Sequence, residues 1–188
     1  MKSRWLVLLA LFWPGVALAQ PGPVPPPAVQ TTTGGQNSGS VAVSQTPANS
    51  SHAAGTSVGG LFTLPVARNA GGSGVVTQVG VRSLGGYTSG YVLRVWQKNP
   101  AATTCTDNVA FASNASDNLQ QLSAPVTLYP QPVPFGDGAS YRFVDIEWSY
   151  KNADTAPSTN LYACLIALST DTADEGQAVT VFVSASQN

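Results

Sequence analysis

The single histidine is the first side chain to consider as a catalytic base. A Ser-His-Asp or Cys-His mechanism needs an imidazole held within hydrogen-bond reach of the nucleophile. His52 is the only histidine, and it lies at the border of a Pro-, Gly- and Ser-rich stretch. The sequence therefore predicts a solvated linker histidine rather than a catalytic base. The sequence also contains no HExxH motif, which argues against ordinary zinc catalysis.

Asp145 and Glu147 form the best-placed pair of carboxylates. On a strand, residues at i and i+2 leave the same face about 7 Å apart, a separation compatible with the acid pair of a glycosidase. Such pairs normally flank a cleft, whereas two carboxylates on one strand are more typical of a solvated outer face. Arg94 or Arg142 could neutralise them across or along the sheet. The prediction is a solvated face, with a hydrolase as the least favoured function.

Two loops resemble ligand-binding segments only superficially. Residues 171–176 (DTADEG) carry three carboxylates, and oxygen-rich loops can bind calcium, but the EF-hand spacing is not met. Residues 71–74 (GGSG) precede a strand pattern instead of opening a helix, so they lack the geometry of a phosphate-binding loop. Both are predicted to be turns, and we expect neither a metal nor a cofactor.

Cys105 and Cys164 are the only cysteines. An even pair favours a disulfide if the chain is exported, and residues 1–19 have the pattern of a secretory signal peptide. Two buried reduced thiols are the next alternative, and a metal site comes last because two cysteines alone leave it short of ligands. A bridge closing a loop of about 60 residues is worth on the order of 4 kcal/mol in the chain-entropy model.

Aromatic residues are frequent at strand positions, where core or inter-subunit packing is the plainer explanation. Flat rings on a β-sandwich can also stack on sugars, which makes a carbohydrate-binding module the alternative function. The aromatic residues considered are Tyr87, Tyr91, Trp96, Tyr129, Phe135, Tyr141, Trp148 and Tyr150. Of these, Tyr87, Tyr91, Tyr129 and Tyr150 are predicted to form surface contacts.

The first residues have the pattern of a secretory signal peptide. Lys2 and Arg4 form a positive region, a short apolar run follows over residues 5–16, and residues 17–19 (ALA) form a small-x-small cleavage site. We expect cleavage before Gln20 rather than an uncleaved anchor, because the run is shorter than the roughly 20 residues that span a bilayer. The predicted location is periplasmic or extracellular, without membrane insertion after cleavage.

The net charge of the chain argues against nucleic acid and membrane surfaces as partners. Removal of residues 1–19 takes away Lys2 and Arg4, which leaves six basic side chains against nine acidic ones. A mildly acidic chain argues against nucleic acid, whose binding depends on clustered Lys and Arg, and against a polybasic membrane-surface site. Charged residues make up only 9% of the chain, so the surface lacks the charge that discourages association.

The chain divides into three parts: a signal peptide (residues 1–19), a disordered tether (20–47) and a domain (48–188). The tether is rich in Pro, Gly, Ser and Thr, which form extended or flexible chain. In the domain, side chains on the two faces alternate with period two within short segments, and turns rich in Gly, Ser, Asn and Asp separate these segments. Strands are expected at residues 61–64, 75–81, 91–97, 126–129, 141–150, 161–168 and 179–183.

This strand pattern predicts an all-β fold, a single antiparallel β-sandwich or jelly roll. Short helices are predicted only at residues 107–111 and 114–122. Strands facing each other across two sheets would bury Val81, Leu93, Val95, Ile146, Trp148, Leu165 and Val181.

Four segments resemble the small β-rich structural proteins associated with tailed-phage and prophage particles. They are GGSGVVTQV (residues 71–79), NPAATTCTDNVAF (99–111), LYACLIA (161–167) and VFVSASQN (181–188). The resemblance implies a structural role with no catalytic residues. The signal peptide, the tether and the cysteine pair are departures from that group.

Together these features predict an exported, non-enzymatic structural or surface-display protein. It would act by contact with itself, as a cyclic homo-oligomer, or with another surface or virion-like protein, and would use no cofactor. The alternative is a secreted carbohydrate-binding module whose partner is a glycan.

Overall fold

The computed structural model describes residues 38–47, 51–84, 90–132, 139–170 and 177–187. Nine strands and one short helix occupy this part of the chain. In chain order they are β1 (Ser38–Gln45), β2 (Ser57–Pro65), β3 (Ser73–Ser83), β4 (Tyr91–Trp96), α1 (Ala115–Asn118), β5 (Val126–Leu128), β6 (Gln131–Pro132), β7 (Ser140–Lys151), β8 (Asn160–Ala167) and β9 (Val179–Gln187). The predicted signal peptide and most of the predicted tether lie outside the described residues.

The strands pair as nested antiparallel partners. β1 pairs with β9, β2 with β8, β3 with β7, and β4 with β5. This is the pattern of one long hairpin rolled up on itself, in which β3–β9 and β4–β8 contacts close the two sheets. The sheet orders are β1-β9-β3-β7-β6 and β2-β8-β4-β5. The predicted antiparallel sandwich is therefore confirmed, and its topology is that of a jelly roll.

The core between the sheets follows the predicted alternation. Val81, Leu93, Leu165 and Val181 have no exposed surface, and Val95 is 2% exposed. Ile146 and Trp148 pack against this core but are only partly buried. Both lie on β7, beside which β6 covers only Tyr141 and Ser140, so the core is less enclosed at this side of the sandwich.

The start of the domain differs from its predicted position. Residues 38–45, assigned to the tether, form β1, whose eight residues pair continuously with β9. The Gly and Ser content of this stretch suggested flexible chain. The alternation of serine with valine is nevertheless a period-two strand pattern, and Val41 and Val43 pack against the core.

A third layer covers the outer side of the four-stranded sheet. The β4–β5 loop (residues 97–125) packs there around a second apolar cluster of Trp96, Tyr162, Cys164 and Ile166, with Cys105 and Phe111 against it. β8 is consequently buried on both faces, which accounts for its continuous apolar run.

The predicted helices are largely replaced by turns and bridges within this loop. Residues 107–111 are not helical, because Asp107 and Ala110 form isolated bridges with Ser57 and Thr56. In the second predicted segment only α1 is helical, capped by the side chain of Asn114. Within the described ranges, no helix has the length and apolar character needed to cross a membrane.

Candidate functional site

The disulfide joins the β4–β5 loop to the centre of the four-stranded sheet. Cys105 and Cys164 are bonded, with their Cα atoms 6.0 Å apart, so the predicted pairing is confirmed. Cys164 is completely buried, and its Sγ atom lies 3.5 Å from Oγ of Ser57 at the start of β2. The bridge therefore holds the loop layer against the sheet at a point where β2 and β8 meet.

His52 is buried beside this bridge, contrary to the prediction of a solvated linker residue. Its side chain has no exposed surface, and its Nε2 atom lies 2.9 Å from Oδ1 of Asp107. The segment around it is held by backbone hydrogen bonds, in which the N–H groups of Gly55 and Ser57 donate to the carbonyls of Ala167 and Val109. The contact connects the segment before β2 to the β4–β5 loop.

Two glycines set the path of the backbone beside the His52–Asp107 contact. Gly59 and Gly60 both have positive φ, at 76° and 79°, a conformation that residues with a Cβ atom rarely adopt. They interrupt the register between β2 and β8. The turn directs the Gly59 N–H toward Oδ1 of Asp107, at 2.8 Å. One carboxylate thus accepts a hydrogen bond from Gly59 as well as contacting the imidazole.

The outer face of the five-stranded sheet has a different character, since short polar side chains form rows across it. The Ser40 and Ser184 hydroxyls are 2.9 Å apart, and the Ser44 and Thr180 hydroxyls are 2.7 Å apart. These cross-strand pairs link β1 to β9 and carry no formal charge. Ser40 and Ser44 are exposed on β1, whereas Thr180 is buried.

An aromatic pair crosses the middle of this face. Phe143 on β7 and Phe182 on β9 both lie opposite Gly80 of β3, and their ring centroids are 5.2 Å apart. A Cβ atom at Gly80 would lie 2.3 Å from Cδ1 of Phe143. The rings therefore close over the glycine, an arrangement that protects its backbone, while Phe143 remains 43% exposed.

A cation–π contact lies in the neighbouring row. The guanidinium carbon of Arg82 is 5.3 Å from the centre of the Tyr141 ring. Together with Phe143 and Phe182 these residues form what we call the aromatic patch. Rings of this kind are enriched at protein interfaces and also stack on sugars.

The four tyrosines predicted to make surface contacts have different positions. Tyr91 has no exposed surface and Tyr150 is 4% exposed, so that prediction is wrong for both: they belong to the core. Tyr129 is 54% exposed, and its ring lies over Gly90, where an added Cβ would be 2.7 Å from Cδ1. Tyr87 lies outside the described residues.

The carboxylate pair occupies the solvated face that its spacing predicted. Asp145 and Glu147 are both exposed on β7. Oδ1 of Asp145 accepts a hydrogen bond of 2.9 Å from Nε2 of Gln78 on the neighbouring strand. Both side chains thus project from an open sheet.

Asp154 is the acceptor of three hydrogen bonds. It accepts from the Ser158 hydroxyl at 2.6 Å, the Asn99 N–H at 2.8 Å and the Tyr162 hydroxyl at 2.8 Å. Burial opposes ionisation, but these bonds and nearby Lys98 outweigh it, so the pKa of Asp154 lies below its usual value. The network ties the β4–β5 loop to the β7–β8 turn.

Metal-ligating residues are not clustered in the described ranges, which contain no group of three or more His, Cys, Asp or Glu side chains suited to an ion. The acidic segment 171–176 lies outside these ranges. Of residues 71–74, all predicted to be a turn, Ser73 and Gly74 already belong to β3.

The His52–Asp107 contact was not predictable from local sequence, because 55 residues separate the two. The one available signal was the position of Asp107 two residues after a disulfide cysteine. The aromatic patch had a clearer signal, since Phe143 alternates out of phase with the apolar residues of its strand.

Comparison with known proteins gives no family. No protein-family model matches the chain, and no curated protein matches it. Among solved structures the chain is similar to the PRD1 vertex protein P5, with 15% sequence identity and a TM-score of 0.39. That alignment covers 82% of this chain and 100% of the vertex protein. At this level of similarity, the neighbour's role cannot be transferred to this chain.

Proposed function

We propose that this chain is an exported, non-enzymatic structural or display protein that acts by protein–protein contact and self-assembly. The observation that carries the proposal is the outer face of the five-stranded sheet. It combines uncharged hydroxyl rows with the aromatic patch, in which Phe143 is 43% exposed. The exposed Phe143 ring suits contact with another surface, because aromatic side chains are enriched at protein interfaces. The hydroxyl pairs between β1 and β9 carry no charge to desolvate, while the charged Asp145 and Glu147 lie on β7.

Export is supported by two independent features. The first is the signal-like pattern of residues 1–19, with its positive, apolar and small-residue regions. The second is the Cys105–Cys164 disulfide, since such bonds persist in oxidising compartments. N-terminal sequencing of the exported product should begin at Gln20. Recovery of intact Met1 on cytoplasmic protein would overturn the export proposal.

The absence of enzymatic activity is proposed from the positions of the candidate groups. The His52 imidazole is completely buried against Asp107, and Asp145 accepts a hydrogen bond from Gln78 on an open face. Neither arrangement presents an activated group to a bound substrate. Hydrolysis of a glycoside that disappears in Asp145→Asn would overturn this part of the proposal.

Self-assembly is tested by the mass of the natively exported protein. Light scattering at high micromolar concentration should give a mass above that of one chain. A monomer throughout the concentration series would overturn self-assembly.

A carbohydrate-binding module is the second candidate, favoured by the exposed rings of Phe143 and Tyr129. A glycan array distinguishes it from protein contact. Micromolar binding to one sugar class, lost in Phe143→Ala or Tyr129→Ala, would establish the second candidate. Leu119→Ala is the control, because Leu119 is an 81% exposed apolar side chain in the β4–β5 loop without an aromatic ring.

A further inference from the structure

Three of the four edge strands of the two sheets have features that protect them against pairing with another chain. Charged side chains and Pro residues, short length and irregular register are the usual protective features. At the other edge of the five-stranded sheet, β6 is only two residues long and ends at Pro132, and β7 beside it carries the charged residues Arg142, Asp145, Glu147 and Lys151. β5 is only three residues long.

β2 is protected by its own irregularity. Its register breaks between Ser57 and Leu61, and the strand ends at Pro65. In addition, the side chain of Gln45 donates a hydrogen bond of 2.8 Å to the carbonyl of Leu61. This strand therefore offers little continuous backbone to a partner.

β1 has none of these protective features. Its eight residues, SGSVAVSQ, include no charge and no proline, and its register with β9 is continuous from Ser38 to Gln45. It is the first strand of the five-stranded sheet, and none of the other described strands pairs with its outer side. Alternate backbone amide and carbonyl groups along this side are available to another strand.

The sequence of β1 is also symmetric about Ala42, since residues 40–44 read SVAVS in both directions. A two-fold axis through Ala42 would align two copies of β1 as antiparallel strands. Ser40 would then lie opposite Ser44 of the second copy, and Val41 opposite Val43. Each even-numbered residue would pair with an even-numbered residue, and each odd-numbered residue with an odd-numbered one. The backbone N–H and C=O groups that point away from β9 in one copy would therefore face the same groups of the second copy along the entire pair.

The side chains of β1 are suited to this alignment on both faces. Ser40, Ala42 and Ser44 are exposed, while Val41 and Val43 are only partly buried at the margin of the core. Pairing would cover the remaining valine surface. It would also extend the existing hydroxyl pairs Ser40–Ser184 and Ser44–Thr180 across the new boundary.

We propose that β1 is a homodimer interface, at which β1 of a second copy pairs antiparallel with Ala42 opposite Ala42. The two five-stranded sheets then form one ten-stranded sheet, whose outer face carries both aromatic patches. This inference rests on the proposed self-assembly and assigns its interface and partner, a second copy of this chain.

Site-directed crosslinking tests the register directly. Ala42→Cys places two thiols on the two-fold axis, where Cα atoms of paired residues are about 4.5–5.5 Å apart, within the range that a disulfide spans. Ser44→Cys is the matched control, because the two copies of residue 44 would be separated by about 13 Å along the strands. We expect oxidised dimer from Ala42→Cys and none from Ser44→Cys. Equal crosslinking of both variants, or none from Ala42→Cys, would overturn the register.

Charge substitutions at the axis provide a test without crosslinking. Ala42→Lys and Ala42→Glu each place like charges opposite one another, so each variant alone should dimerise at least about tenfold more weakly. Mixing the two variants should restore the dimer mass. Ala42 is exposed on the outer face, and the circular dichroism spectrum of each variant checks that it still folds.

The outcomes separate this inference from the proposed function. A wild-type protein that is monomeric at high micromolar concentration overturns both self-assembly and the β1 interface. A wild-type oligomer that is unaffected by Ala42→Lys, and that gives no crosslink through Ala42→Cys, overturns the β1 interface alone.

Discussion

His52 Nε2 lies 2.9 Å from Oδ1 of Asp107, two residues beyond Cys105 in the disulfide-linked loop. The contact joins the segment before β2 to the loop layer at the place where the disulfide joins the same layer to β8. A covalent and a hydrogen-bonded connection therefore secure neighbouring points of one loop.

Asp107→Ala is expected to reduce the free energy of unfolding by about 2–4 kcal/mol. The change leaves the buried His52 side chain and the Gly59 N–H without an acceptor they now use, and an unpaired buried polar group retains its full desolvation cost. Urea denaturation measures the loss as a lower midpoint with an unchanged slope. Asp145→Ala, at an exposed position, is the control. Equal stability of Asp107→Ala and wild type would show that the His52–Asp107 contact contributes nothing to the free energy of unfolding.

Removal of the disulfide is expected to cost about 2–5 kcal/mol, because the bridge restricts the unfolded chain. The sequence separation it closes is 59 residues. The double variant Cys105→Ala/Cys164→Ala, compared with wild type in urea, measures this effect. Free-thiol titration of the folded protein should find no reactive cysteine. Two reactive thiols in the folded protein would contradict the bridge.

Gly80→Ala is expected to destabilise the five-stranded sheet by about 1–3 kcal/mol, since the added methyl group meets the Phe143 ring at 2.3 Å. Phe143→Ala removes that ring. In a double-mutant cycle the cost of Gly80→Ala should therefore be smaller in the Phe143→Ala background. Additive costs would indicate that the ring does not close over Gly80.

Acid sensitivity should depend on Asp154. The pKa of its carboxyl is lower in the folded state than the value of about 3.9 in an unfolded chain. Its contribution to stability is thus fully present above the unfolded pKa and is lost as the pH falls through the folded pKa. Asp154→Asn should be less stable than wild type at neutral pH and should lose less stability on acidification.

Denaturation midpoints between pH about 7 and about 2 measure this dependence. Asp145→Asn removes the same charge at a position with one hydrogen-bonded neighbour, and it is the control. A stability profile of Asp154→Asn that runs parallel to wild type across the acid range would contradict the prediction.

The N-terminal boundary of the domain can be tested by truncation. A chain beginning at residue 48 lacks β1 and uncovers the edge of β9, whereas a chain beginning at residue 38 retains the pairing. We expect the shorter chain to lose about 2 kcal/mol or more, because Val41 and Val43 no longer pack on the core. Equal urea midpoints for the two chains would show that β1 is dispensable.

The sequence alone determined the all-β class, the location of seven strands and the cysteine pair. These features depend on period-two alternation and on residue type, both of which are local properties. The alternation also placed Tyr91 in phase with buried Leu93, and Tyr150 in phase with Trp148. Their burial was therefore indicated by their own strands, although both were predicted to form surface contacts.

Only the tertiary structure decided the environment of His52, the inclusion of β1 and the covering of the four-stranded sheet. Each depends on partners far away in the chain: Asp107 for His52, β9 for Ser38–Gln45, and the β4–β5 loop for β8. A Gly- and Ser-rich segment becomes a strand when a neighbouring edge supplies its hydrogen bonds. A histidine becomes buried when another segment folds over it, and the local sequence does not specify which segment that is.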